Sequence, residues 1–148
     1  MIGRRKPFDR KLYNEVNDLS IKAVKKYLKA AGHKIISTKE KYAADIETSF
    51  NGTRHLIEVE VRMGWTGDWP SNWPNVRVPE RKKKLLDQSE REEKPLTFLY
   101  LNRDFTKAWK VDGDVVKDSP LEEVPNRFVA KGEYFFIIPV TKATMVNL

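Results

Sequence analysis

Residues 43–63 read AADIETSFNGTRHLIEVEVRM, and this stretch decides the fold because it predicts two antiparallel strands joined by a tight turn. Asn51-Gly52 supplies the turn, since both positions of a two-residue type I′ loop need positive φ, which Asn and Gly tolerate best. A hairpin closed at these two residues places Asp45 directly opposite Glu58. We therefore expect two carboxylates to meet across the strand pair.

The second strand of this hairpin continues the acidic face. Alternation puts Glu58, Glu60 and Arg62 on one side of the strand. The other side carries the apolar set Ile57, Val59, Val61 and Met63. Repulsion among Asp45, Glu58 and Glu60 costs free energy that a bound divalent cation would remove. The alternative is an amphipathic hairpin whose polar face is solvated, which also alternates.

Composition limits the class of protein. The chain has 148 residues, 40% of them hydrophobic and 33% charged, which predicts one domain over residues 1–148. No apolar run approaches the roughly 18 residues that cross a bilayer, and the N-terminus lacks the apolar segment of a secretory signal. We expect an intracellular, cytoplasmic protein with no membrane partner. With no cysteine and only His33 and His55 as imidazoles, Mg²⁺ or Mn²⁺ is favoured over zinc.

The charge balance points to a polyanionic partner. Lys and Arg number 28 against 21 Asp and Glu, for a net charge of +7. Basic residues cluster at 3–11, 22–29 and 81–84. Neutralised phosphates release counterions and supply affinity, and no segment pairs a basic face with interfacial aromatic residues. Nucleic acid is therefore favoured over a membrane surface.

Periodicity predicts the remaining elements. A helix capped by Asp9 should run to about Ala31 and bury Leu12, Val16, Leu19, Ala23, Val24, Tyr27 and Leu28. Strands are predicted at 33–37, 76–78, 96–101 and 134–140, the run at 96–101 (LTFLYL) being central, and a hairpin at 108–111 and 114–117 turns at Asp112-Gly113.

A basic helix is predicted between Pro79 and Pro95. Leu85 and Leu86 would dock it, while Arg81, Lys82, Lys83 and Lys84 face outward to grip a phosphate backbone; Arg77 on the preceding strand is counted with them.

The loop at 64–75, GWTGDWPSNWPN, holds three tryptophans. Trp65, Trp69 and Trp73 are either the packing of an Ω-loop or a platform on which bases stack. Both interpretations remain open at this point.

The order helix, strand, acidic hairpin, basic helix, strand resembles the PD-(D/E)XK nuclease superfamily over roughly residues 9–101. The resemblance implies an α/β (α+β) fold of the restriction endonuclease-like kind, with a mixed central sheet, an N-terminal helix and a second helix packed on it. Asp45 matches the first motif acid, Glu58-Val59-Glu60 the second motif, and Glu15 the helical acid.

This resemblance implies a divalent-metal-dependent DNA endonuclease, a small homing, restriction or resolvase-type member. Mg²⁺ or Mn²⁺ would be held by Asp45, Glu58 and the Val59 carbonyl, and the substrate would be duplex or branched DNA. Glu60 stands where the family usually has Lys, and would be a base or a third ligand. In a second register, Glu60-Val61-Arg62, Arg62 would stabilise phosphate charge instead.

Other functions stay open at the level of the sequence. The missing lysine favours a non-catalytic DNA- or RNA-binding protein built on a nuclease-like fold, and the tryptophan loop suits an RNA-binding domain. A nuclease of this size would cut two strands as a homodimer. In the nuclease, Asp45 and Glu58 are expected to face solvent within a cleft.

Overall fold

The computed structural model describes residues 9–38, 44–126 and 129–148, so the basic cluster at 3–11 lies largely outside the described residues. The helices are α1 (Arg10–Ala30), α2 (Lys83–Glu92) and α3 (Gly113–Lys117), with short 3-10 turns at Glu80–Lys82 and Val140–Lys142. The strands are β1 (Lys34–Thr38), β2 (Ile46–Phe50), β3 (Thr53–Val61), β4 (Asn75–Pro79), β5 (Leu96–Leu101), β6 (Lys107–Asp112), β7 (Leu121–Asn126), β8 (Val129–Pro139) and β9 (Thr144–Asn147).

Helix α1 begins and ends as the sequence predicts. The Asp9 carboxylate accepts a hydrogen bond from the backbone N–H of Leu12 at 3.0 Å, and Gly32 follows the helix with φ of 96°. The buried residues are Val16, Ser20, Val24 and Leu28. Leu12 and Leu19 are 38% and 51% exposed, so their prediction as core residues was wrong. The helix buries a single i, i+4 line, which is narrower than the predicted stripe.

The acidic hairpin has the predicted register. Ile46 pairs with Ile57, and Asn51 and Gly52 have φ of 50° and 79°, as the tight turn requires. Strand β3 then pairs in parallel with β5, and the connection between them contains α2. The resulting sheet is mixed, with the order β1-β2-β3-β5-β6-β9. The predicted fold class and the central place of β5 are therefore confirmed.

Two hydrophobic clusters cover the two faces of this sheet. One face packs on α1 through residues that include Ile57, Val59 and Leu99. The other packs on α2, α3 and a second sheet of order β4-β8-β7, which the sequence did not predict. In the described part of the chain no helix is long and apolar enough to span a bilayer.

The second predicted hairpin was wrong, because residues 113–117 form helix α3. Asp112 has φ of −70°, whereas the first position of a type I′ turn needs a positive value. Strand β6 already pairs with β5 on one side and β9 on the other, so no edge is left for residues 113–117. Val116, fully buried, is the side chain that α3 contributes to the core.

Candidate active site

Two buried carboxylates meet where the hairpin ladder ends. Asp45, just before β2, and Glu58, within β3, are each 5% exposed. The backbone N–H of Val59 donates to Asp45 Oδ2 at 2.9 Å, and the N–H of Asp45 donates to Glu58 Oε1 at 3.2 Å. The expectation that both side chains face solvent was wrong. Each carboxylate is buried and accepts a hydrogen bond from a backbone N–H across the strand pair.

A lysine from another element joins these acids. Lys82 Nζ forms ion pairs with Glu58 Oε2 and, at 2.7 Å, with Glu60 Oε1. Its side chain is only 14% exposed, so the prediction that Lys82 faces outward was wrong. The predicted helix opens instead as a 3-10 turn over Glu80–Lys82, and this tighter winding directs Lys82 toward β3.

The surroundings of the site raise the pKa of both Glu58 and Lys82. Burial, and then the neighbouring Asp45, raise the pKa of Glu58 to about 7, although Lys82 opposes the change. Burial by itself would lower the pKa of Lys82, but Glu60 and Glu58 raise it overall. Lys82 is therefore an ammonium at neutral pH, while Glu58 changes from the protonated to the ionised form near pH 7.

Tyr100 is a neighbour of the site that the sequence did not reveal. It pairs with Glu60 in the parallel register of β3 and β5. Burial first, and then Glu60, raise the pKa of Tyr100 well above its usual value. The phenol stays protonated and remains a potential hydrogen-bond donor beside Glu60. Only the pairing of strands far apart in the chain brings these residues together.

We expect the raised pKa of Glu58 to make stability fall as pH rises from about 4.5 to about 7. In this window Glu58 holds a proton in the folded protein that the unfolded chain has released. The free energy of unfolding therefore falls by roughly 3 kcal/mol at most. Burial lowers the pKa of His33 and His55, which gives the opposite slope. Urea unfolding across this range should therefore be compared with Glu58→Gln, which loses the falling component. A Glu58→Gln profile equal to that of the wild type, or of the exposed control Glu80→Gln, would contradict the assignment.

The remaining predicted catalytic residues form no ion pair with this cluster in the described part of the chain. Arg62 follows β3, and its guanidinium carbon lies 5.0 Å from the centre of the Trp73 ring. Glu15 is exposed on α1. The structure thus brings together Asp45, Glu58 and Glu60, the residues of the first motif register, and the roles of Arg62 and Glu15 stay predictions.

The tryptophan loop packs on itself. Trp65 is fully buried, and its ring meets Trp69 edge to face at 5.0 Å. Trp69 in turn meets Trp73 at 5.1 Å and Trp109 at 5.6 Å, and its indole N–H donates to the Trp73 carbonyl at 2.7 Å. Trp65 therefore has no exposed face on which a base could stack. Trp69 and Trp73 are half-buried, and their stacking on bases stays a prediction.

Trp65→Ala is expected to destabilise the protein by about 3–5 kcal/mol, because it empties a fully buried site. Urea unfolding measures the loss, with Met63→Ala as the control since Met63 is 45% exposed. At temperatures where the variant is folded, its DNA affinity should equal that of the wild type. A Trp65→Ala variant that is as stable as Met63→Ala but binds DNA more weakly would restore the stacking interpretation.

The predicted basic surface is only partly present. The side chains of Arg77, Arg81, Lys83 and Lys84 are exposed, whereas Lys82 belongs to the acidic cluster. Contact of the exposed four with nucleic acid stays a prediction. No local sequence signal linked Lys82 to Glu58, because the two residues are 24 positions apart.

The donor atoms at the site suit a hard cation. In the ranges that the structure covers, no three His, Cys, Asp or Glu side chains are grouped as metal ligands. Asp45 and Glu58 supply two carboxylates. Because the N–H of Val59 faces Asp45, the carbonyl of the same residue points to the same edge of the strand. Two carboxylates and one carbonyl are oxygen donors that fit Mg²⁺ or Mn²⁺.

Comparison with known proteins finds ten similar chains among solved structures. No family model and no curated protein matches the sequence. A solved structural neighbour is Hjc, a Holliday junction resolvase from the archaeal hyperthermophile Archaeoglobus fulgidus, determined at 1.6 Å resolution. The two chains are 14% identical with a TM-score of 0.46, over 82% of this chain and 86% of that chain.

Proposed function

We propose that the protein is a divalent-metal-dependent DNA endonuclease with Asp45, Glu58 and Lys82 at its active site. One observation carries the proposal: Lys82 Nζ reaches Glu58 and Glu60 from a separate element. Lys82 thereby supplies the positive charge that the nuclease motif usually has at the position that Glu60 occupies in this chain. A buried acid pair with a bound lysine costs desolvation energy, and such clusters of perturbed pKa are typical of functional sites.

The metal would be held by Asp45, Glu58 and the Val59 carbonyl. These are oxygen donors, and Glu58 is deprotonated in a large fraction of molecules near neutral pH. When bound there, the ion supplies charge neutralisation at the scissile phosphate and a lowered pKa for an attacking water.

The protein's own side chains then position and stabilise the reacting phosphate. The Lys82 ammonium donates hydrogen bonds to a phosphate oxygen, where negative charge grows in the transition state. Glu60 holds Lys82 at 2.7 Å and is a positioning residue, rather than the base or third ligand expected from the sequence. Asp45 accepts a hydrogen bond from the Val59 N–H, which holds its carboxylate in place.

The substrate we propose is duplex or branched DNA, since the chain has a net charge of +7. A homodimer would allow two sites to cut two strands.

The test is cleavage of supercoiled plasmid and of a four-way DNA junction with Mg²⁺ or Mn²⁺, against the same reactions with EDTA. We expect metal-dependent nicking, and the substrate that is cut faster identifies the preferred DNA structure. Salt-sensitive DNA binding with no cutting of either substrate would contradict the nuclease. It would support a non-catalytic DNA-binding protein on a nuclease-like fold.

A further inference from the structure

Helix α1 carries a row of lysines beside the candidate site. Lys22, Lys25, Lys26 and Lys29 follow the i, i+3, i+4, i+7 spacing that places side chains on one helix face. They line a groove of about 620 Å³ together with Asn17, Asp18, Ile21 and Asp45. The groove therefore joins a basic helix face to one of the two buried acids.

These lysines form no ion pair with an acid in the part of the chain that the structure describes, whereas Lys82, Lys94 and Lys117 are each paired with Glu side chains. The lysines of the groove are three exposed side chains and one, Lys25, that is half-buried. Their positive charge is available to a ligand.

The length of the row suits a nucleic acid backbone. Seven residues separate Lys22 from Lys29, which corresponds to about 10 Å along a helix axis. Each strand of B-form DNA carries one phosphate for about every 3.4 Å of helix axis. A row of about 10 Å spans about three such intervals, so the four lysine ammoniums match the charges of about four successive phosphates.

We propose that the DNA strand to be cut reaches Asp45 along this groove, with its phosphates bound by Lys22, Lys25, Lys26 and Lys29. The inference rests on the nuclease proposed above and names the surface that delivers its substrate. It replaces Arg81, Lys83 and Lys84 as the main phosphate contacts.

The test uses fluorescence anisotropy of a labelled duplex and a labelled four-way junction over a salt series in EDTA, where no cutting occurs. The variant is Lys22→Gln with Lys26→Gln, and Lys25→Gln with Lys29→Gln is the second pair. Gln retains good helix propensity, and circular dichroism checks the fold. The matched control, Lys110→Gln with Lys142→Gln, removes the same charge from exposed residues elsewhere.

We expect the slope of log K against log salt to fall by about 0.9 for each lost phosphate contact, or roughly 2 for each groove pair. The control should keep the wild-type slope. The proposal would be overturned if the double variants of the groove lysines kept the wild-type slope, or if the control variant lost as much slope as they do. It would also be overturned if only Arg81→Gln with Lys83→Gln reduced the slope. Because binding is read without metal, failure to cut DNA would contradict the nuclease alone.

Discussion

Asp45→Asn is expected to slow metal-dependent DNA cleavage by at least about 100-fold, the usual contribution of one positioned catalytic group. The substitution removes a negatively charged oxygen donor from the proposed metal site. It should keep the fold, because the amide oxygen of Asn still accepts the hydrogen bond from Val59. Alanine is a poorer choice here, since it would leave the buried N–H of Val59 unpaired at a cost of about 1–3 kcal/mol.

Asp118→Asn is the matched control for this experiment. Asp118 undergoes the same loss of charge, but it is exposed and lies outside both the groove that Asp45 lines and the cluster with Lys82. Initial rates of plasmid nicking compare the two variants, and thermal unfolding confirms that both are folded. Equal rates for Asp45→Asn and the wild type would remove Asp45 from the active site.

Lys82→Met is expected to reduce both activity and stability. Cleavage should fall by about 10²- to 10⁴-fold, because the cation beside the phosphate is lost. The variant also leaves Glu58 and Glu60 without their buried partner, which costs about 3–5 kcal/mol in comparable pairs. This loss should be smaller near pH 5, where Glu58 is protonated because its pKa is about 7. Urea unfolding at about pH 5 and about pH 8 measures the difference.

Lys83→Met separates these effects from a general loss of positive charge. Lys83 is the next residue along the chain and is exposed, so its replacement should alter stability by no more than about 0.5 kcal/mol. Lys82→Arg keeps the charge but replaces a compact ammonium with a planar guanidinium, and should recover stability more than activity. If Lys82→Met behaved like Lys83→Met in both assays, the assignment of Lys82 to the site would be wrong.

Local chemistry made the acidic hairpin predictable. The turn at Asn51-Gly52 and the alternation along β3 depend on neighbouring residues only, so they fixed the register that places Asp45 beside Glu58. The apolar run of β5 likewise predicted a strand covered on both faces.

Features that depend on contacts between distant segments were not predictable. The sequence of residues 113–117 is compatible with a strand. In the structure, however, β9, at the end of the chain, occupies the edge of β6 with which that strand would pair. The sequence allows Trp65 to stack on a base, but in the structure Trp65 packs on Trp69, which in turn contacts Trp109. The sequence also predicts that Asp45 and Glu58 are exposed, whereas both are buried in the structure.

The sequence by itself determined the fold class, the hairpin register and the pair of facing acids, because period-two alternation and turn geometry are local properties. Only the tertiary structure decided that Lys82 lies beside these acids. A 3-10 turn after Pro79 brings its ammonium to Glu58 and Glu60, where the attraction of two buried carboxylates holds it. Electrostatic attraction depends on distance in space, and the sequence gives distance only along the chain.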